Sequence, residues 1–393
     1  MVVEIPRDIK INCDMNISSL HDAADQVLDC TRPRNFAFWF LSGTIVVFAA
    51  QAVYVTANGG NWAYLIRVGE QANLRPRITA ELGEIKATDP LGHDGQMCYV
   101  IARDPWDQRG TSEMLRHVDP QYRYRRIAYP LLSGGFGLFS PRATLMGLIV
   151  WLAVGAGLST VALADIAFQR RLPGSVVLLG MINPGILLSA VALTPDSLAS
   201  GFGMAAIALW LRGRTKGVIL CLALATLTKE THFLFAIGIA LIAWGQNDRR
   251  SAVKVLALPL TCFAVWALWC RMNVANGSSP MHNFTFPGAG IWSAAQQWLN
   301  ADETALDLML DFGLGTLGVI MILVIGAAAI RSGNRVVSAC GLLWALVALT
   351  TSISVWGEPT NLIRVAAPLW PLAWLNGAEA ASKKISEPTA LPV

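Results

Sequence analysis

Two stretches hold the residue types that do chemistry. One is His93-Asp94-Gly95-Gln96; the other, further along, is Tyr122-Arg123-Tyr124-Arg125-Arg126-Ile127-Ala128-Tyr129-Pro130-Leu131-Leu132. Counting Arg103, Arg109, Arg116 and Tyr99, the segment 93–132 gathers six arginines and four tyrosines. A carboxylate at Asp94, on a flexible Asp-Gly turn, can accept a proton from an attacking hydroxyl. The structural alternative is an Asx-type turn closing on Gly95. The guanidinium forks of Arg123, Arg125 and Arg126 suit a phosphate or pyrophosphate. Attraction to anionic lipid headgroups explains such a cluster equally well, and the two readings merge if the substrate is itself a lipid phosphate.

Other candidates lie further on. Thr228-Lys229-Glu230-Thr231-His232 interrupts two short apolar runs, and interrupted helices are tolerated where they line a cavity rather than face lipid. Lys229 or Glu230 could contact a polar headgroup there; an ordinary polar turn between two helices is the alternative. Arg364 lies about one turn into the last apolar segment, where it either forms a second anion contact near Glu358 or snorkels to the interface. His282, with Asn276 and Asn283 nearby, reads as a solvated loop residue.

The elements that must position these groups are apolar helices. Of 393 residues, 54% are hydrophobic and only 14% charged, with a mean hydropathy of +0.48, whereas a soluble domain carries roughly 25% charged residues. Fourteen tryptophans suit a protein with many interfacial anchors. The chain is expected to be an integral membrane protein without a cleavable leader, since the first thirty residues lack an apolar core. Seven scattered cysteines form neither a disulfide framework nor a zinc site.

Candidate spans are 36–56, 143–168, 174–193, 196–211, 217–228, 231–246, 253–271, 309–330, 336–356 and 361–378. Basic clusters at Arg32/Arg34, Arg170/Arg171, Arg212/Arg214/Lys216, Arg249/Arg250/Lys254, Arg331/Arg335 and Lys383/Lys384 then share one face, as the positive-inside rule requires. Merging 217–246 into one span would move the later clusters across. The expected fold is therefore an all-α polytopic bundle of about ten spans with both termini cytoplasmic. A cytoplasmic tail (1–35) precedes a transmembrane domain (36–380), and a second tail (381–393) follows. The loop 57–142 lies outside, with amphipathic surface helices expected near 64–85 and 95–104. In this topology Asp94, Asp104, Asp196, Glu230, Glu358, Lys229, His232, His282 and Arg364 collect on the external side, and ionisable groups there mark functional pathways.

One span, a long external loop with an early Asp, then many uneven spans resembles the GT-C superfamily of polytopic glycosyltransferases. His93-Asp94-Gly95-Gln96, Tyr99, Ile101-Ala102-Arg103-Asp104-Pro105 and Tyr124 to Leu132 resemble bacterial members with a DGQ-type motif and an R-x-x-YPLL-like motif. Leu227-Thr228-Lys229-Glu230-Thr231 resembles their Lys-Glu-Thr motif, and Asn361-Leu362-Ile363-Arg364-Val365-Ala366-Ala367-Pro368-Leu369 their final-span signature. The matches run in order from about 36 to 378.

The resemblance implies an inverting transfer of a sugar from a polyprenyl-phosphate donor to an envelope glycan, lipid or protein acceptor. Asp94 is then the base, and His93, Gln96, Arg103, Arg123, Arg125, Arg126, Tyr129, Lys229, Glu230 and Arg364 are the candidate substrate-binding residues. It further implies a bacterial inner membrane with the site on the periplasmic side. No second acidic pair follows the first loop and no large C-terminal soluble domain is present, a departure from the mannosyltransferase and oligosaccharyltransferase branches. No P-loop or G-x-G-x-x-G appears, and no nucleic-acid partner is expected. The sequence requires no cofactor; a divalent ion could be held by the external acids, but no ligand spacing compels one. The rival reading is a transporter or flippase for a lipid-linked or anionic substrate, and a third is a scaffold in an envelope-building complex.

Overall fold

The computed structural model describes residues 35–88, 90–277, 284–300, 305–331, 335–356 and 359–386. Helix makes up 77% of the described residues, and among them there is no strand, only isolated bridges at Val68–Gly92 and Phe284–Thr351. Of the expected tails, residues 1–34 and 387–393 lie outside the described residues, as do His282, Asn283 and Glu358, while 381–386 continue the last helix.

The first helix, α1 (Phe36–Ala57), is apolar on all sides and long enough to cross a membrane. The loop after it is not a pair of surface helices. Its 64–85 part is a 3₁₀ turn (Trp62–Ile66) and the short α2 (Arg75–Leu82); its 95–104 part is α3 (Asp94–Arg103). Leu65, Ile66, Ile78, Tyr99, Val100 and Tyr124 are fully buried, and they share a core with Leu148, Ile149 and Leu152 of the long helix that follows. The loop therefore carries enough apolar surface to fold down onto the bundle. Two short helices, α4 (Pro120–Tyr124) and α5 (Ala128–Gly134), bring the chain back.

That long helix is α6 (Pro141–Gln169), capped by Ser140. Next come α7 (Ser175–Met181), α8 (Pro184–Val191), α9 (Asp196–Leu211), α10 (Thr215–Thr228), α11 (Phe233–Gly245) and α12 (Arg249–Asn273). The amphipathic α13 (Ala289–Asn300) leads to α14 (Ala305–Arg331), α15 (Arg335–Thr350), α16 (Pro359–Val365) and α17 (Leu369–Ser386). Helix α6 packs against both α1 and α9. The α6–α9 crossing is backbone-close: a Cβ on Gly201 would come within 2.3 Å of the Gly155 carbonyl oxygen, so only small residues fit there. Besides α1, helices α6 and α12 are long and apolar enough to cross a membrane, and several shorter apolar helices accompany them.

Three expected spans are discontinuous. The 174–193 segment breaks at Ile182-Asn183, ahead of Pro184. The 336–356 segment ends its main helix at Thr350, and the 361–378 segment breaks at Ala366-Ala367-Pro368. Proline cannot donate to the helical ladder, which ends the preceding helix in two of these places. The 217–246 segment is a hairpin: Thr215 at the start of α10 and Gln246 just past α11 line the same hollow, so its two helices run antiparallel. Arg170, Thr215, Gln246, Asp248 and Arg335 all meet at that end, whereas Asp94, Asp196, Lys229 and Glu230 meet at the other.

Candidate functional site

Asp94 is the first residue of α3, so it does not occupy a flexible turn. His93 before it is extended, and the left-handed residue is Gly92, with φ of 76°. Gly95 is required by packing: a Cβ there would lie 2.6 Å from the Ala192 carbonyl oxygen and 2.8 Å from that of Ile66. A carboxylate in the first turn of a helix is favoured by the helix dipole. Asp94 Oδ1 accepts a hydrogen bond from Arg123 Nη1 at 2.7 Å, and Oδ2 lies 4.0 Å from Arg364 Nη2. Burial would raise the pKa of Asp94, but the fields of Arg123, Arg364, Arg126 and Lys229 outweigh it and hold the carboxyl well below the usual range.

A second ion pair crosses from the loop to the α10–α11 hairpin. Arg126 donates from Nε to Glu230 Oε2 at 3.0 Å and from Nη2 to Oε1 at 2.7 Å, a bidentate fork. Its guanidinium also stacks 4.2 Å from the Tyr122 ring centroid and donates to the Tyr122 hydroxyl. A third pair is the deepest: the Lys229 ammonium donates to Asp196 Oδ1, and Thr194 Oγ1 donates to Oδ2 at 2.8 Å. Lys229 and Asp196 are almost wholly buried, at 6% and 3% exposed.

These pairs line a cavity of about 470 Å³. Arg123, Arg125, Arg126, Lys229 and Arg364 face it, with only Asp94, Asp196 and Glu230 to balance them among the described residues. Arg125 has no ion pair among the described residues, and its buried Nε has no hydrogen-bond acceptor. The rest of the lining includes Phe263, Phe284, Val347, Val355 and Val365, so the cavity combines charged and apolar side chains. This arrangement can hold an anion against the arginines while sheltering a hydrocarbon portion.

Of the sequence-derived candidates, Asp94, Arg123, Arg125, Arg126, Lys229, Glu230 and Arg364 are brought together. His93, Gln96, Arg103 and Tyr129 lie outside the cavity lining. Gln96 is buried and holds the loop, donating to Leu91 O at 2.8 Å and accepting from Gly69 N at 3.3 Å. Arg103 pairs with Glu81 at 2.9 Å, and Tyr129 donates to Leu148 O at 3.1 Å. Asp104 is consumed by the amides of Gln108 and Arg109 and the hydroxyl of Thr111. His232 lies behind the cavity against Phe235 and Trp344, with Nε2 3.4 Å from Ser200 Oγ. Tyr122 and Asn361 join the site beyond the expected candidates; Asn361 accepts from Arg364 at 2.6 Å, an i,i+3 pair on α16.

Among the described residues no group of three or more His, Cys, Asp or Glu side chains is arranged to hold a metal ion. The chain matches no family model, and a search of curated proteins gives no match either.

Proposed function

We propose that the chain is a polytopic membrane glycosyltransferase of the GT-C type, taking a sugar from a polyprenyl-phosphate donor. The observation that carries the reading is the mixed lining of the cavity, which sets an excess of cationic side chains beside Phe263, Phe284, Val347, Val355 and Val365. That combination fits an anionic amphiphile better than a soluble nucleotide sugar. The bundle makes about ten passes with both termini on the basic face and the cavity opening outside. Helices α10 and α11 are about 20 Å long at 1.5 Å per residue, short of the roughly 30 Å hydrocarbon core, so Lys229 and Glu230 lie below the outer surface.

Arg125, the arginine without an acid, is the primary phosphate receptor. The donor phosphate also competes with Asp94 for Arg123 and Arg364 and so relaxes the pair that holds the Asp94 carboxylate. Asp94 then removes the proton from an acceptor hydroxyl. The hydroxyl oxygen bonds to the anomeric carbon from the opposite face, the carbon–oxygen bond to phosphate breaks, and polyprenyl phosphate leaves with the electron pair. The arginines stabilise that leaving anion.

The transporter reading draws support from one observation. The breaks at 182–183 and 366–368 are joined, Asn183 Nδ2 donating to Ala367 O at 2.8 Å, and paired discontinuous helices are a transporter feature. Proteoliposomes carrying a labelled polyprenyl-phosphate sugar in one leaflet separate the two. Release of polyprenyl phosphate with sugar on an added acceptor supports transfer. Intact donor appearing in the other leaflet, without cleavage, refutes it in favour of transport.

A further inference from the structure

The end of the bundle opposite Asp94 holds a second hollow, of about 650 Å³. Chain reversals after α6, α9 and α11 surround it, together with the start of α15. Arg170 and Arg335, from elements far apart in sequence, line it with Gly213, Thr215, Gln246, Asp248 and Ser251. Trp210, Leu211, Ile242 and Val336 supply apolar flanks.

The charge at this end is unbalanced. Arg212 is neutralised by Asp165, donating from Nε to Oδ2 at 2.7 Å. Asp248 caps α12, accepting from Ser251 N at 3.0 Å. Arg170 and Arg335 form no ion pair among the described residues, and neither do Arg171, Arg214, Lys216 and Arg250, which do not line the hollow. Helix α10 opens into the hollow at Thr215 without a side-chain cap, so its first amides add to the positive field. Two guanidinium groups without ion pairs, lining one hollow together with polar and apolar side chains, make a receptor for a phosphate ester joined to an apolar portion.

We propose that this hollow is a second binding site, for the phosphate headgroup of an anionic amphiphile on the face opposite the Asp94 cavity. The site is independent of what the Asp94 cavity does. It belongs to the pocket geometry, not to the general positive charge of that face, and the experiment separates the two.

The full chain, purified in mild detergent, is titrated with phosphatidylglycerol or phosphatidylcholine and the retained lipid counted by native mass spectrometry. Wild type is expected to retain phosphatidylglycerol preferentially. The double variant Arg170→Gln/Arg335→Gln should lose about thirtyfold in affinity, the loss expected when two hydrogen bonds to the bound phosphate are removed. The double variant Arg171→Gln/Arg250→Gln removes the same charge from the same face outside the hollow and should lose less than threefold, under about half a decade. All four side chains are exposed, so the variants keep the fold. Glycerol phosphate, added as a competitor, displaces the lipid if the phosphate ester alone is recognised and fails to do so if the apolar portion is needed. Equal losses in the two double variants, or no preference for phosphatidylglycerol, overturn the proposal.

Discussion

Replacing Lys229 by methionine keeps an unbranched chain out to Cε and removes the ammonium that neutralises Asp196. At about 3 Å and an effective dielectric constant near 20, the attraction lost is about 5 to 6 kcal/mol. Breaking a buried pair by removing one partner costs about 3–5 kcal/mol net, because the remaining charge is left without compensation. Both groups are under a tenth exposed, so solvent screening does not reduce this. Asp196 keeps the Thr194 hydroxyl at 2.8 Å and its place in the first turn of α9, which puts the loss toward the lower end of that range. For 393 residues at about 2.1 cal/mol/K each, a loss near 3 kcal/mol lowers the melting temperature by about 4 °C. The assay is thermal unfolding in detergent of Lys229→Met, Asp196→Asn and the double variant. The double variant leaves no buried charge and should be more stable than Lys229→Met alone, with a coupling energy of at least about 2 kcal/mol. A loss under about 1 kcal/mol for Lys229→Met, with additive effects, is the signature of a solvated surface pair and would refute burial of the 228–232 break.

Asp94 has a depressed folded pKa, so its contribution to stability is complete above the unfolded value of about 3.9 and is lost as pH falls through the folded value. Stability measured from about pH 8 to pH 5 should therefore show no Asp94 titration, and Arg123→Gln should move the loss to higher pH; a protonated Asp94 carbonyl band in wild type at pH 5 to 6 would contradict this. Arg126→Lys removes the fork that grips both Glu230 oxygens and the flat face stacked on Tyr122. A double-mutant cycle with Glu230→Gln should give about 1–2 kcal/mol of coupling for arginine and less than half that for lysine, and equal values would show a point-charge contact instead. Asn183→Leu removes the cap of α8 and orphans the Ala367 carbonyl, costing about 2–4 kcal/mol by thermal unfolding; a loss below about 0.5 kcal/mol would show that the two breaks are not pinned there.

The break at 228–232 was legible because Lys229, Glu230 and His232 interrupt apolar runs outright. Those at 182–183 and 366–368 were not, although Pro184 and Pro368 stand in plain view. Hydropathy stays high across them, so a reading by apolar length merges the halves. The role of Gly95 was hidden for another reason: an Asp-Gly pair favours a turn locally, but the approach of the Ala192 carbonyl is a tertiary fact. The sorting of α3 follows helical period. Asp94, Met97, Cys98 and Ile101 share one face and line a small crevice with Arg123 and Arg126, while Gln96, Tyr99 and Arg103 turn toward the loop core. Once the helix is known to begin at Asp94, that division is readable from spacing alone. The apolar part of the lining had no signal at all, since Phe263 and Val347 resemble every other residue of an apolar helix.

Release of polyprenyl phosphate from a polyprenyl-phosphate sugar, by the purified protein in lipid, tests the central claim most directly when wild type is set beside Asp94→Asn. Wild type is expected to turn over the donor in the presence of an acceptor. Asp94→Asn, close in size and able to keep its place at the start of α3, should fold and bind the donor yet lose turnover by about a hundredfold or more, the range a positioned general base contributes. Undiminished turnover in Asp94→Asn, or none by wild type across a panel of donors and acceptors, would contradict the assignment of this cavity to sugar transfer.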